Sequence, residues 1–185
     1  MQRSELEYAI VASTAVIEKD VVLIIGSQAI LATWSEVELP YETTMSDEVD
    51  VAPMSDDETE ELANAIDFHL GEFSPFHDHN EFYVQGVSMK TAVLPDGWWA
   101  RLVRFKTEKT LGKEGRCLEP HDLCIAKLVA ARKKDYVFVD ALLKDGKIEL
   151  SLLKERALLL EEEETPEGET SRKSRVISWL EAQDH

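Results

Sequence analysis

Two acidic residues separated by one residue, Glu48 and Asp50, are well suited by type and spacing to bind a divalent metal ion. They alternate with Val49 and Val51, so in a β-strand both carboxylates point to one face and both valines to the other. Carboxylate oxygens bind Mg²⁺ in proteins, and two-metal phosphoryl chemistry needs carboxylates that share the ions. The alternative interpretation is that the two acids form the solvated face of a half-buried strand.

A second short motif, Gly26-Ser27, follows an aliphatic run over residues 21–25. The run predicts a central strand, and the turn after it would begin a helix whose first backbone N–H groups suit a phosphate. A purely structural interpretation is also open, in which the glycine permits a tight turn and the serine caps the helix. The dipeptide lacks the further glycines and the lysine of a P-loop, so its meaning depends on the motifs that follow it.

One lysine, Lys127, lies among apolar residues of a helix predicted to begin at Glu119-Pro120 and to continue through residue 137. Because its neighbours should be packed, we expect its ammonium group to extend into a cleft, where it could hold triphosphate oxygens as a point charge. Asp135, two turns later, is predicted to orient Lys127 or Arg132. The alternative is an exposed basic helix face with Asp135 in a surface ion pair.

Composition limits the classes of partner. The chain has 185 residues, 44% of them hydrophobic, and a net charge of -17, which argues against duplex DNA as a partner. The first 20 residues carry several charges, and the longest apolar runs are far shorter than the roughly 20 residues that span a bilayer. We therefore expect a cytoplasmic protein with no membrane partner, whose Cys117 and Cys124 are reduced structural thiols.

The periodicity of apolar residues predicts an α+β (α/β) fold, in which a mixed β-sheet is flanked by helices. A first helix should run to about residue 18, capped by Ser4 with Glu7. The further predicted elements are, in order, a strand over 21–25, a helix from 27, a strand with Glu48 and Asp50, a helix from 58 to 70 capped by Asp56 or Asp57, short strands over 82–84, 91–94 and 98–105, a loop over 106–115, the helix of Lys127, a helix over 148–160, a charged linker over 161–170 and a terminal helix over 172–182.

The order of these motifs over about residues 5–145 resembles small prokaryotic nucleotidyltransferases of the DNA polymerase beta superfamily. The similarity is greatest to the minimal branch that is related to AbiEii-type toxins. It is carried by Ile24-Ile25-Gly26-Ser27-Gln28-Ala29-Ile30, Glu48-Val49-Asp50-Val51, Val93-Leu94-Pro95-Asp96-Gly97-Trp98 with Arg101-Leu102, His121-Asp122-Leu123, Lys127-Leu128 and Arg132-Lys133-Lys134-Asp135.

The resemblance implies a nucleotidyltransferase-like domain over residues 1–145 and a C-terminal helical extension over 146–185. Gly26 and Ser27 would contact the phosphates of an NTP, Glu48 and Asp50 would ligate magnesium, and Lys127 would contact phosphate. Such enzymes transfer a nucleoside monophosphate from NTP, ATP among them, to a hydroxyl group on a protein, a tRNA or a small molecule. A toxin-antitoxin role is implied as well, with a homodimer or an antitoxin partner.

One feature of the superfamily has no clear counterpart in this sequence. Its members usually carry a third carboxylate on a later strand, where the acid serves as base or completes the metal site. The expected strand has Gln85 instead, and Glu81 and Asp96 are the alternatives. The second hypothesis is therefore a catalytically inactive nucleotide-binding protein, or an antitoxin-like interaction protein, with the same fold.

Overall fold

The computed structural model describes residues 1–55, 60–166 and 169–184. One mixed sheet lies at the centre of this part of the chain, with the strand order β3-β2-β1-β5-β4. β1 is antiparallel to β2 and parallel to β5, β2 is parallel to β3, and β4 is antiparallel to β5. The strands are β1 (Val21–Ile24), β2 (Glu48–Pro53), β3 (Tyr83–Gly86), β4 (Val103–Phe105) and β5 (Glu114–Cys117).

Helices flank the sheet, which confirms the predicted fold class. Those of the described residues are α1 (Arg3–Val16), α2 (Glu61–Leu70), α3 (Pro75–Asn80), α4 (Trp98–Arg101), α5 (Pro120–Ala130), α6 (Lys133–Lys144), α7 (Leu150–Leu158) and α8 (Arg172–Glu181). Within this part of the chain, no helix is long and apolar enough to cross a membrane.

The predicted central strand is confirmed. Val22, Leu23 and Ile24 of β1 are fully buried, as expected for a strand with neighbours on both edges. The segment after it is a 3₁₀ helix, Ser27–Ala32, whereas the sequence predicted the start of an ordinary helix. Cys117 and Cys124 are free and buried, as predicted.

Helix α1 begins earlier than predicted. Gln2 caps it in a reciprocal arrangement with Glu5, so the prediction of Ser4 with Glu7 as the capping pair is wrong. Glu7 instead is buried, and it accepts a hydrogen bond of 2.8 Å from the hydroxyl of Thr107. The residues predicted to cap α2, Asp56 and Asp57, lie outside the described residues, whereas the predicted end of α2 at Gly71 is confirmed.

The predicted strand over 91–94 is wrong, and the predicted strand over 98–105 is confirmed only in its last part. Met89–Thr91 is a 3₁₀ helix, and Trp98–Arg101 is the short helix α4, so only the last part of the segment 98–105 is a strand. Arg101 explains the folded-back conformation, because its guanidinium donates to Asp122 at 2.7 Å and to the carbonyl oxygens of Pro95 and Asp96. The predicted loop over 106–115 also contains the start of β5.

The helix predicted to run from Pro120 through residue 137 is two helices. Ala131 between them is in the left-handed conformation, with φ of 56°, and Arg132 then begins α6 as its N-cap. The predicted terminal helix is confirmed as α8. Val176 and Leu180 are buried, and Arg175 donates a hydrogen bond of 3.1 Å to the carbonyl oxygen of Val129 near the end of α5.

Candidate active site

Glu48 and Asp50 lie on one face of β2, as the alternation predicts. Val49 and Val51 on the other face are fully buried, whereas both acids are only partly buried. The neighbouring strand β3 pairs Tyr83 with Glu48 and Gln85 with Asp50, and paired residues of adjacent strands share a face. The two acids, the tyrosine and Gln85 therefore form one polar face at this edge of the sheet.

Gly26 is the residue that lets Asp50 lie close to the end of β1. The backbone N–H of Ile25 donates to the carbonyl oxygen of Asp50 at 3.2 Å, which sets the two strands side by side. A Cβ atom at position 26 would lie 2.6 Å from Cγ of Asp50, closer than two carbon atoms can approach. Glycine is therefore needed here to make room for the carboxylate, and its φ of -87° is ordinary for any residue.

The charged form of Asp50 is unfavourable in this position. Burial first, and then the negative charge of Glu48 within hydrogen-bonding reach, raise the pKa of Asp50 to about 6. Lys127 and Arg132 oppose it in part. The hydroxyl of Tyr83 donates to Oε2 of Glu48 at 3.3 Å. A bound cation would relieve the repulsion between the two acids.

Lys127 reaches this polar face from α5. Its side chain is only 11% exposed, and its ammonium nitrogen lies 3.3 Å from the hydroxyl oxygen of Ser27 and 3.5 Å from Oδ1 of Asp135. Burial lowers the pKa of Lys127, and the charges of Asp135 and Asp50 oppose that shift. The prediction that this lysine extends from a packed helix face into a cleft is confirmed.

Asp135 can contact Lys127 only because the chain bends between α5 and α6. In a continuous helix, residues eight positions apart lie about 12 Å apart along the axis. Asp135 is 1% exposed and accepts hydrogen bonds from Nε and Nη2 of Arg132, the first at 2.7 Å. Burial would raise the pKa of Asp135, but these bonds and the charge of Lys127 outweigh it and lower the pKa.

Two clefts adjoin at Glu48 and Lys127, which line both of them. We call the larger one, of about 700 Å³, the lysine cleft, because Lys133 and Lys134 line it together with Ser27 and Tyr83. We call the other, of about 400 Å³, the arginine cleft. Arg132, Arg172, Asp50 and Gln85 line it with apolar residues that include Val87, Val93, Ala126 and Val129.

The donor set at this face consists of carboxylate oxygens, which suit hard divalent cations such as Mg²⁺. Among residues 1–55, 60–166 and 169–184, no cluster of three or more His, Cys, Asp or Glu side chains is suited to hold a metal, so a dedicated protein cage is not formed there. Magnesium is commonly held by only one or two carboxylates, with water and substrate phosphates as its other ligands. Glu48 and Asp50, crowded beside Gly26, match that mode.

The structure brings together all six residues singled out from the sequence: Gly26, Ser27, Glu48, Asp50, Lys127 and Asp135. It places Gln85 opposite Asp50, where a third acid would lie, and neither Glu81 nor Asp96 is among the residues lining the two clefts. Two site residues were not predicted from the sequence. Tyr83 lies two positions before Gln85, so the alternation of side chains along a strand places both on one face. Arg172 has no local signal in the sequence.

Residues 6–185 match the model of a protein family described as "Nucleotidyltransferase of unknown function (DUF6036)". The match spans nearly the whole chain, so the chain belongs to this family of nucleotidyltransferases. No curated protein and no solved structure shows a significant match.

Proposed function

We propose that this protein is a magnesium-dependent nucleotidyltransferase, which transfers a nucleoside monophosphate from an NTP to a hydroxyl group. The observation that carries the proposal is the meeting of a carboxylate pair with a buried lysine, since Glu48, Asp50 and Lys127 all line the arginine cleft. Phosphoryl transfer requires carboxylates that bind a metal cation and a cationic side chain that binds the phosphates. Membership of the nucleotidyltransferase family supports the same reaction class.

Glu48 and Asp50 would hold magnesium, which when bound neutralises charge on the triphosphate. Lys127 would bind phosphate oxygens, because its ammonium is already fixed beside Ser27 and Asp135. Ser27 would offer its hydroxyl and backbone N–H to the same phosphates. Asp135 would act through Lys127, whose position and charge it stabilises.

Gln85 limits the expected rate. An amide cannot accept a proton from the attacking hydroxyl, and general base assistance typically contributes a factor of about 100 or more. We therefore propose slow transfer, and this residue also favours the second candidate function, a nucleotide-binding protein that has lost catalysis. Assignment to the DNA polymerase beta superfamily, near AbiEii-type toxins, and a toxin-antitoxin role with an antitoxin partner or a homodimer belong to the same proposal.

Calorimetric titration with each NTP, with and without magnesium, tests the proposal. We expect binding that needs magnesium and that the double variant Glu48→Ala, Asp50→Ala loses, because its cation ligands are gone. The matched control is Asp140→Ala, Asp145→Ala, which removes one acid from the last turns of α6 and one from its C-cap and leaves the net charge equal to that of the test variant. Equal NTP binding by the test and control variants would contradict the proposal.

Transfer separates the enzyme from the inactive binder. Both should bind an NTP with magnesium, but only the enzyme should release pyrophosphate when candidate protein, tRNA or small-molecule acceptors are added. Pyrophosphate release that the double variant lacks identifies the enzyme. Magnesium-dependent binding with no release for any acceptor class would favour the binder.

A further inference from the structure

Two substrates must meet at one phosphorus atom in any nucleotidyl transfer, and this protein has two clefts that meet at one pair of residues. Glu48 and Lys127 line both the lysine cleft and the arginine cleft. Each cleft has its own further lining, with Ser27 and Lys134 in the first and Gln85 and Arg172 in the second. The site is therefore open from two sides.

The lysine cleft suits the nucleoside triphosphate. Lys127, Lys133, Lys134 and Ser27 line it, and so do four acids, Glu42, Asp47, Glu48 and Asp135, of which Asp135 is already paired with Lys127 and Arg132. The size of this cleft, more than its charge, therefore favours the larger of the two substrates. A cleft of about 700 Å³ lies within the range that holds drug-sized ligands, so the whole nucleotide can occupy it.

The geometry of phosphoryl transfer determines the side from which the acceptor hydroxyl approaches. The attacking oxygen and the leaving oxygen lie roughly in line on opposite sides of the phosphorus. If pyrophosphate leaves toward Lys133 and Lys134, the attacking hydroxyl must approach from the side of Gln85. That side opens into the arginine cleft.

The arginine cleft has a lining different from that of the lysine cleft. Val93, Ala126 and Val129 provide apolar walls, and two guanidinium groups, those of Arg132 and Arg172, lie at its edge. Both arginine side chains are more than half exposed. Asp135 fixes Arg132 through Nε and Nη2, and Glu163 lies 3.3 Å from Nε of Arg172. Each guanidinium is held in place by one acid and keeps donors for another.

We propose that the arginine cleft is the acceptor site, and that the acceptor carries a phosphate or carboxylate group next to its reacting hydroxyl. The anionic group binds Arg172 and Arg132, and the hydroxyl points toward Asp50 and Gln85. A cleft of about 400 Å³ admits a unit the size of a nucleoside or smaller. This assignment rests on the proposed function.

The reaction takes place where the two clefts meet, beside Glu48 and Lys127. The acceptor oxygen forms a bond to the α-phosphorus, and the bond from that phosphorus to the oxygen bridging the β-phosphate breaks. The pyrophosphate leaves through the lysine cleft with the bonding electron pair. The hydroxyl proton passes to water, because Gln85 cannot accept it.

A matched pair of small probes and a matched pair of variants test the acceptor site. The probes are glycerol phosphate and glycerol, which differ by one anionic group, and their binding is followed through the backbone amide resonances of the intact protein. The variants Arg172→Gln and Lys134→Gln each remove one exposed cation, one from each cleft. NTP binding with magnesium is measured by calorimetry on the same samples.

We expect glycerol phosphate, and not glycerol, to shift the amide signals of Val87, Val93 and Ala126. Arg172→Gln should weaken glycerol phosphate binding about tenfold, the loss of one charge-assisted contact, and leave NTP affinity unchanged. Lys134→Gln should weaken NTP binding and leave glycerol phosphate binding unchanged. Labelled nucleoside monophosphate should appear on glycerol phosphate in the wild-type protein and be reduced with Arg172→Gln.

Three results would overturn the assignment: competition between glycerol phosphate and NTP, amide shifts centred on the lysine cleft, or weakened NTP binding in Arg172→Gln. Competition and weakened NTP binding can be observed only if the wild-type protein binds NTP with magnesium, and the amide shifts are scored on samples whose NTP binding has been measured, so the proposed function survives each of these results. If the wild-type protein binds no NTP, the proposed function fails, and the acceptor site fails with it.

Discussion

At the scale of single residues, the free protein holds Asp50 in an unfavourable state. Its carboxyl is packed against Gly26 and faces Glu48, and its pKa rises to about 6 as a result. A group with a raised pKa in the folded state binds its proton more tightly there than in the unfolded chain. The carboxylate therefore costs stability at neutral pH, which is common for residues that serve a ligand.

Replacing Asp50 with Asn should stabilise the metal-free protein at neutral pH. The wild-type protein gains stability from this group below its unfolded pKa, near 3.8, and loses it as the pH rises through about 6. We expect Asp50→Asn to be about 1–3 kcal/mol more stable than wild type at pH 7.5, with the difference vanishing near pH 4. Urea unfolding of both proteins in EDTA, between about pH 4 and pH 7.5, measures this difference in stability.

The exposed neighbour Asp47 provides the control for this experiment, since Asp47→Asn should leave stability within about 0.5 kcal/mol of wild type at both pH values. An Asp50→Asn variant no more stable than wild type at pH 7.5 would mean that Asp50 is not destabilising when charged.

At the scale of elements, the bend between α5 and α6 determines where the cations of the site lie. Ala131 has φ of 56°, a conformation that costs a residue with a Cβ about 1–2 kcal/mol. Two interactions oppose this cost. The N–H of Ala131 donates to the carbonyl oxygen of Lys127 at 3.0 Å, and Asp135 caps α6 while it bonds Arg132. The bend places Lys127 and Asp135 at the same point of the site.

Removing Asp135 should therefore destabilise the bend. The variant Asp135→Ala leaves the buried Lys127 ammonium without its acidic partner and α6 without its cap, and we expect a loss of about 2–3 kcal/mol in unfolding free energy. Denaturant unfolding of Asp135→Ala measures this loss. Asp140→Ala is the control, because the exposed ion pair of Asp140 with Lys144 contributes little to stability. Equal losses in the two variants would contradict this role.

Sequence patterns predicted the elements that carry the site, for reasons that are local. Five aliphatic residues before Gly26 predict β1, and the alternation of acids and valines predicts the exposed face of β2. The bend at Ala131 could not be predicted in the same way, because alanine has the highest helix propensity and nothing near it breaks a helix. Only tertiary contacts select the left-handed conformation there.

The other features that the sequence did not predict depend on contacts between distant segments. The contact of Tyr83 with Glu48 follows from the register of β3 against β2, and Arg172 reaches the arginine cleft because α8 packs on α5. The aromatic residues Trp98 and Trp99 have strand propensity, but Arg101 folds their segment into α4. The division into domains at residue 145 stays a prediction.

At the scale of the whole molecule, the distribution of charge is uneven. The net charge is -17, yet the two clefts are lined by as many basic as acidic residues: Lys127, Arg132, Lys133, Lys134 and Arg172 beside Glu42, Asp47, Glu48, Asp50 and Asp135. Net charge far from zero destabilises a compact state through self-repulsion, and added salt screens that repulsion. Added salt also weakens the attraction of the basic cleft residues for an anionic ligand.

Salt should therefore have opposite effects on stability and on binding. Raising NaCl from about 20 mM to about 200 mM should raise the midpoint of thermal unfolding by about 2–4 °C and weaken NTP binding several-fold. Calorimetry measures both quantities on one preparation. An unfolding midpoint that falls with added salt would show that attractive ion pairs outweigh the net repulsion.

The contact between Gly26 and Asp50 has a consequence for how this site can change in evolution. A side chain gained at position 26 first would collide with the carboxylate, so selection acts against that order of substitution. Replacing the acid at position 50 by a smaller residue removes its Oδ2 and Cγ atoms from the collision but leaves its Cβ atom 2.8 Å from a Cβ at position 26, so that position stays restricted to glycine. Decay of the site in a lineage should therefore begin at position 50. This chain keeps both residues, so its site has not taken the first step on that path.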